Sequence, residues 1–213
     1  LNYGYSVYEC QKAVEILEAD GLILHLNPLQ EALQPEGQTD FADLARKIGE
    51  ICKGLDVPVI VKEVGWGITL ETAKNLVELG VSAIDVAGAG GTSWSEVEKF
   101  RTNNARYFRI AEKFKDWGNP TAELLAQIRV GLPEIPLIAS GGITGGMEIA
   151  KSIALGANIA GMARPFLTAA NESLESVVAL IDEIRFELMV TMFAAGAADI
   201  AALSKTPIIQ RSA

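Results

Sequence analysis

The sequence predicts an α/β fold: a (β/α)8 TIM-type barrel, of which the chain holds the last five βα units as a single domain over residues 1–213. Three observations predict it. Short continuous apolar runs alternate with longer amphipathic ones, as in a parallel sheet covered by helices. No GxGxxG opens the first strand–helix unit, which argues against an open dinucleotide-binding sheet. Two turns, Ser140-Gly141-Gly142-Ile143 and Gly161-Met162-Ala163-Arg164, follow the last two strands, where barrels commonly build a phosphate site. A full barrel typically needs about 250 residues, so three further strands are expected to be cleaved, disordered or supplied elsewhere. The first residue, Leu1, is not Met, and the expectation is that the sequence begins inside a longer natural chain.

In chain order, Ser6 to Ala19 reads as a helix, with Ser6 as cap and Val7, Cys10, Val14 and Leu17 on one face. Gly21 to Asn27 is a buried strand ended by Pro28. Thr39 or Asp40 caps a helix that runs to about Lys53. Val57 to Val64 is a strand, and Thr69 to Leu79 a helix stopped by Gly80. Ala83 to Ala87 is a strand entering the glycine-rich stretch Gly88 to Gly91. The polar, aromatic segment from Thr92 to Asn119 is too long for a simple connection and reads as an excursion at a site. A helix over Thr121 to Val130, a strand over Pro136 to Ala139, a helix over Gly145 to Leu155 and a strand over Asn158 to Ala163 follow. Helices over Leu174 to Ala195 and Ala198 to Leu203 close the reading.

Composition narrows the function. A formal charge of −9 argues against a nucleic-acid partner, and any anionic ligand must be held by local devices. No apolar run reaches the ~20 residues of a membrane span. Cys10 and Cys52 form no CxxC, so a disulfide framework and a zinc finger are not expected, and a reducing cytoplasm is the expected compartment.

The strand ends carry the unusual residues. His25, Asn27, Gln30 and Glu31 fall within seven positions where the first strand becomes a loop. Singly, His25 could be a satisfied core histidine and Gln30 and Glu31 merely solvated; together they point to a site. Lys62 ends an apolar strand and must find an anion or acceptor, either a carboxylate such as Asp85 or an electron-rich ring or phosphate. In Ala87 to Trp94 small residues admit close backbone approach, Thr92 and Ser93 add hydroxyls, and Trp94 is either an apolar lid or plain core. The glycine turns and the helix N-termini after them offer N–H groups to a phosphate, and Arg164 adds a charged fork.

His25-Leu26-Asn27-Pro28-Leu29-Gln30-Glu31, Val61 to Gly65, Ala87 to Trp94, Ser140 to Ile143 and Gly161 to Pro165 together resemble the type 2 isopentenyl diphosphate isomerases, which are FMN-dependent barrel enzymes. The resemblance runs from about Tyr5 to Leu203. It implies interconversion of isopentenyl and dimethylallyl diphosphate, with reduced FMN as the working flavin, NADPH or another reductant to reach it, and no net redox change. It implies Glu31 on Mg2+, Gln30 near the reacting carbons, and His25 and Asn27 in the same pocket. It implies Lys62 by the flavin ring, Thr92 on FMN, Trp94 beside the isoprenoid chain, and Gly141, Gly142, Ile143, Thr144, Ala163 and Arg164 around the FMN phosphate. Gln30 and His25 are the candidate catalytic residues. A homo-oligomer, tetramer or octamer, is also implied. Thr144 departs from a basic residue frequent in the family, and the family's N-terminal diphosphate-gripping residues have no counterpart, so this chain alone is not expected to be fully active. Two other functions remain open at this stage: an inactive FMN- or phosphate-binding barrel fragment, and an FMN-dependent 2-hydroxy-acid oxidase.

Overall fold

The computed structural model describes residues 1–209. Helix α1 (Val7–Leu17) opens on a capping box, in which Ser6 accepts from the Tyr8 N–H and Glu9 reaches back to the Ser6 N–H. Then follow β1 (Leu22–His25), α2 (Pro28–Leu33), α3 (Leu44–Gly54), β2 (Val59–Lys62), α4 (Leu70–Glu78) and β3 (Ala83–Asp85). Helices α5 (Trp94–Arg101) and α6 (Ala105–Lys113) form a hairpin before α7 (Thr121–Gly131) and β4 (Leu137–Ala139). The chain continues through α8 (Gly146–Ala154), β5 (Ile159–Ala160), α9 (Arg164–Glu172), α10 (Leu174–Ala194) and α11 (Ile200–Leu203).

The five strands form one all-parallel sheet in sequence order, β1-β2-β3-β4-β5. A doubly wound sheet reverses its strand order at a switch point; this one never does, and helices follow every strand. That winding is the arc of a (β/α)8 barrel. Val61, Ile84, Val86, Leu124, Leu125, Ile128 and Leu137 fill the space between the sheet and its outer helices, all at most 2% exposed. Each such side chain stabilises the fold by roughly 1.5–3 kcal/mol. The outer strands are unpaired on one side among the described residues, and their Ile23 and Ile159 are 54% and 60% exposed.

Several expectations are corrected. Pro28 does not simply end a strand. It occupies the first turn of α2, where its missing N–H costs nothing, so the polar run after His25 is largely helical. The next helix starts at Leu44, not after Thr39 or Asp40, because Asp40 spends its side chain on the Ala42 N–H in a local turn. Cys10 of α1 is buried, but Leu17 on the expected apolar face is 75% exposed. The strands are shorter than their apolar runs, and α9 was not foreseen in the sequence. The excursion from Thr92 to Asn119 is the α5–α6 hairpin, held by Ser95 Oγ donating to the Phe114 carbonyl at 3.0 Å. Among the described residues no helix is long and apolar enough to cross a membrane.

Candidate active site

The C-terminal ends of the strands surround one cavity of about 380 Å³. His25 and Lys62, partners in the β1–β2 register, stand on one wall. Gly88, Gly90, Gly91, Thr92 and Trp94 form the next, and Gly141, Gly142, Ile143, Thr144, Ala163 and Arg164 the far side. Ten of the thirteen residues given a catalytic, substrate, flavin or metal role by the resemblance thus meet in one place. Asn27, Gln30 and Glu31 do not line this cavity; α2 carries them beside it.

The Gly88 to Gly91 stretch and the Gly141-Gly142 turn pack backbone on backbone. A Cβ on Gly142 would lie 2.7 Å from the Gly90 backbone, and one on Gly91 would lie 2.8 Å from the Gly142 nitrogen. Gly141 and Gly142 also hold φ of +94° and +82°, where a side chain is strained. Thr121, buried and read in the sequence only as the start of a helix, stitches the turn by donating to the Ser140 and Gly141 carbonyls at 3.1 and 2.7 Å. One expectation shifts here. The first N–H of α8, at Gly146, is taken by the Glu187 carboxylate from α10. A side-chain anion already takes that N–H, and the turn and the start of α9 supply the other backbone N–H groups at the cavity.

Lys62 does not pair with Asp85 among the described residues. Its Nζ donates to the Glu63 carbonyl at 2.6 Å. Asp85 instead accepts from Ser140 Oγ at 2.6 Å and from the Ala87 N–H at 3.2 Å, tying the ends of β3 and β4 together. Burial pushes the Asp85 carboxyl up, and the Ser140 hydroxyl, the Lys62 charge and the Ala87 N–H only partly oppose it. Desolvation lowers the His25 pKa, the Lys62 charge pushes the same way, and Glu31 opposes both. The imidazole is therefore neutral at pH 7.

His25 is the chain's one histidine, which makes this testable. Its NMR titration midpoint is expected below about 6.5, the ordinary histidine value, and Lys62→Met should raise it. With the folded value lowered, the unfolded chain binds the proton better, so this site removes stability as pH falls below about 6.5. A midpoint at or above the ordinary value would refute the Lys62–His25 coupling.

On α2, Glu31 is 6% exposed and accepts from Tyr3 Oη at 2.8 Å, the Gln38 N–H at 2.7 Å and Asn27 Nδ2 at 3.0 Å. Burial alone would raise its pKa. The Gln38, Tyr3 and Asn27 donors and the nearby His25 outweigh that and hold it low. Gln30 Nε2 donates to Glu98 Oε1 at 3.0 Å, as does Gln34 Nε2 at 2.8 Å, and Arg101 sits 3.2 Å from the same oxygen. Glu98 is 4% exposed. It stands four residues after Trp94 on α5, one helical turn on; that spacing was its only sequence signal. Glu63 stood beside Lys62 in the sequence motif, but its role was missed. It is buried and its Oε2 accepts from the N–H groups of Val64, Gly65, Trp66 and Gly67.

The chain is 49% identical to an isopentenyl-diphosphate delta-isomerase of Nostoc sp. (strain PCC 7120) and 51% identical to one of Synechococcus sp. (strain ATCC 27144), over 99% of its length in each case. It spans 60% of those relatives. Among solved structures, mandelate oxidase aligns with a TM-score of 0.65 at 19% identity, covering 94% of this chain and 60% of that one. Its complex with benzoyl-formic acid aligns equally well, at 18% identity; at such identities the likeness speaks for the fold alone. A family model described as FMN-dependent dehydrogenase matches residues 27–210, and the chain belongs to that family.

Proposed function

We propose that this chain is the larger part of an isopentenyl-diphosphate delta-isomerase that interconverts isopentenyl and dimethylallyl diphosphate with reduced FMN and Mg2+, in isoprenoid biosynthesis. The observation that carries the reading is identity of about one half to curated isomerases along nearly the whole chain, with the cavity residues in their midst. The cavity fits FMN: Gly88, Gly90, Gly91, Gly141 and Gly142 line it with bare backbone, and Arg164 is exposed at its edge without an ion pair among the described residues. Gly141, Gly142, Ile143, Thr144, Ala163 and Arg164 would hold the phosphate, Thr92 the ribityl side, and Lys62 the ring. Reduced FMN supplies an electron-rich ring that can take part in proton transfer at an allylic carbon.

The chain's own groups do the rest. Lys62 places a cation in a partly dry pocket, where it favours an anionic ring. Trp94 offers an apolar wall to the five-carbon chain. Glu31 fits Mg2+ as a single hard oxygen ligand whose remaining partners are water and phosphate; no group of three acids or histidines among the described residues could cage a metal. Gln30 has its amide N–H fixed by Glu98, so its Oε1 is aimed away from that carboxylate. Neutral His25 can accept a hydrogen bond from substrate. Glu31 would hold the metal that neutralises the substrate diphosphate, and Gln30 and His25 would be the side chains offered to its carbon chain.

The test is an anaerobic assay of FMN-loaded protein after dithionite reduction. Isopentenyl diphosphate with Mg2+ should yield dimethylallyl diphosphate, and 2-hydroxy acids should not be oxidised; the reverse pattern would replace the isomerase with an oxidase. Because the chain spans 60% of its relatives and leaves two sheet edges unpaired among the described residues, binding without turnover would favour the inactive FMN-binding fragment. Arg164→Ala should weaken FMN binding by about 1.5–3 kcal/mol, the worth of a charged hydrogen bond. Unchanged affinity in a flavin titration would remove Arg164 from the phosphate site. NADPH as reductant, a homo-oligomeric assembly and a cytoplasmic setting belong to the same proposal.

A further inference from the structure

The chain is acidic almost everywhere except in one hairpin. Residues 99–115 hold six of its 18 lysines and arginines and one of its 27 acids, leaving 12 cations against 26 acids elsewhere. That acid, Glu112, is already bonded by Lys99. On α6, Arg106, Arg109 and Lys113 recur at i, i+3 and i+7, one face of a helix, opposite the buried Ala111. All three are exposed and none makes an ion pair among the described residues. Exposed, unpaired like charges repel at helical spacing, so folding alone does not account for the stripe.

Its position suggests a role. The C-terminal end of α6 is tied to the first turn of α5 by the Ser95–Phe114 bond, and α5 begins at Trp94 on the cavity wall. The loop after α6 is tied to the cavity's glycine turn, where the Ala89 N–H donates to the Asn119 carbonyl at 2.8 Å. The stripe therefore starts beside the cavity and runs outward for roughly 10 Å. Lys115 and the 60%-exposed Trp117 lie at its inner end.

We propose that this stripe docks the phosphate-bearing end of a reduced nicotinamide dinucleotide, with NADPH as its occupant. The inference rests on the flavin reading above, since a reduced flavin needs an electron donor that reaches the same cavity. The diphosphate and 2′-phosphate lie along Arg109, Lys113 and Arg106, and Trp117 offers a ring face to the adenine. In the step served, the dihydronicotinamide loses a hydride and becomes the nicotinamide cation; FMN gains that hydrogen with both electrons. A stripe this short matches one small polyanion, and the −9 charge of the chain opposes a nucleic acid.

The experiment follows flavin bleaching in FMN-loaded protein by anaerobic stopped flow, titrating NADPH at several salt concentrations. The variant Arg106→Gln/Arg109→Gln/Lys113→Gln should raise the apparent Kd for NADPH at least tenfold at low salt and flatten its salt dependence. The limiting reduction rate should not change. Trp117→Ala should raise the same Kd, and NADH, lacking the 2′-phosphate, should respond less to the triple variant. Reduction by dithionite, and the isomerisation that follows, should be equal in variant and parent. An unaltered NADPH titration overturns the proposal, as does a change in particle mass by light scattering, which would make the stripe a contact between copies. If dithionite-reduced parent protein fails to isomerise, the isomerase reading falls, while bleaching by NADPH still reports on the stripe.

Discussion

Glu63→Ala is expected to destabilise the chain by about 3 kcal/mol or more, the largest stability loss foreseen for one side chain near the cavity. One carboxylate oxygen accepts from four consecutive N–H groups, at 2.7 Å from Val64, 2.9 Å from Gly65, 2.7 Å from Trp66 and 3.2 Å from Gly67. Removing it leaves donors in a buried loop without partners, at about 1–3 kcal/mol for each that water cannot reach. Glu63→Gln keeps a carbonyl oxygen of the same shape and should cost less than half as much. The loop cannot easily find another path. Gly67 holds φ of +89°, and a side chain there would run into Leu124. Urea unfolding gives the measurement: the midpoint should drop while the slope stays constant. A loss under about 1 kcal/mol for the alanine variant would show that the loop holds itself. The same loop places Lys62, whose Nζ rests on the Glu63 carbonyl, so FMN affinity should fall with stability.

Much of this architecture was legible in the sequence, for a physical reason. A parallel barrel buries its strands on both faces, so Val59 to Val61 and Leu137 to Ala139 read as unbroken apolar runs, and Ala83 to Val86 is interrupted only by Asp85. Glycine turns with positive φ are equally plain, because no other residue tolerates them well. Polar side chains that serve other polar side chains were harder to see. Glu63, Glu98 and Glu187 look like solvated acids in a chain with 27 of them; only three dimensions bring them to four backbone N–H groups, two glutamines and a helix terminus. The α5–α6 hairpin was recognised as an excursion but not as helical, since its buried face is small and its outer face is charged. Pro28 misled because proline reads alike at the end of a strand and in the first turn of a helix.

On the isomerase proposed above, Glu98→Ala is expected to lower kcat by at least ~10²-fold, toward the 10²–10⁴-fold typical of lost acid–base function, with FMN affinity unchanged. Moving the double bond takes a proton from one carbon and returns one to another. Gln30, the side chain set nearest the substrate by resemblance, cannot ionise. Glu98 is the ionisable group it touches, buried and held by Gln30, Gln34 and Arg101 together. Two roles are separable. If Glu98 only orients the Gln30 amide, Glu98→Gln restores most of the rate, because an amide oxygen still accepts from Gln30 and Gln34. If its charge matters to proton transfer, Glu98→Gln stays within about tenfold of the alanine variant. The geometry favours the second outcome: a carboxylate at 4% exposure with an arginine beside it costs more to bury than a neutral amide would, and orientation alone would not require it. Recovery of more than a third of the parent rate in Glu98→Gln would leave Glu98 as a support for Gln30 and return the proton transfer to His25 and the flavin.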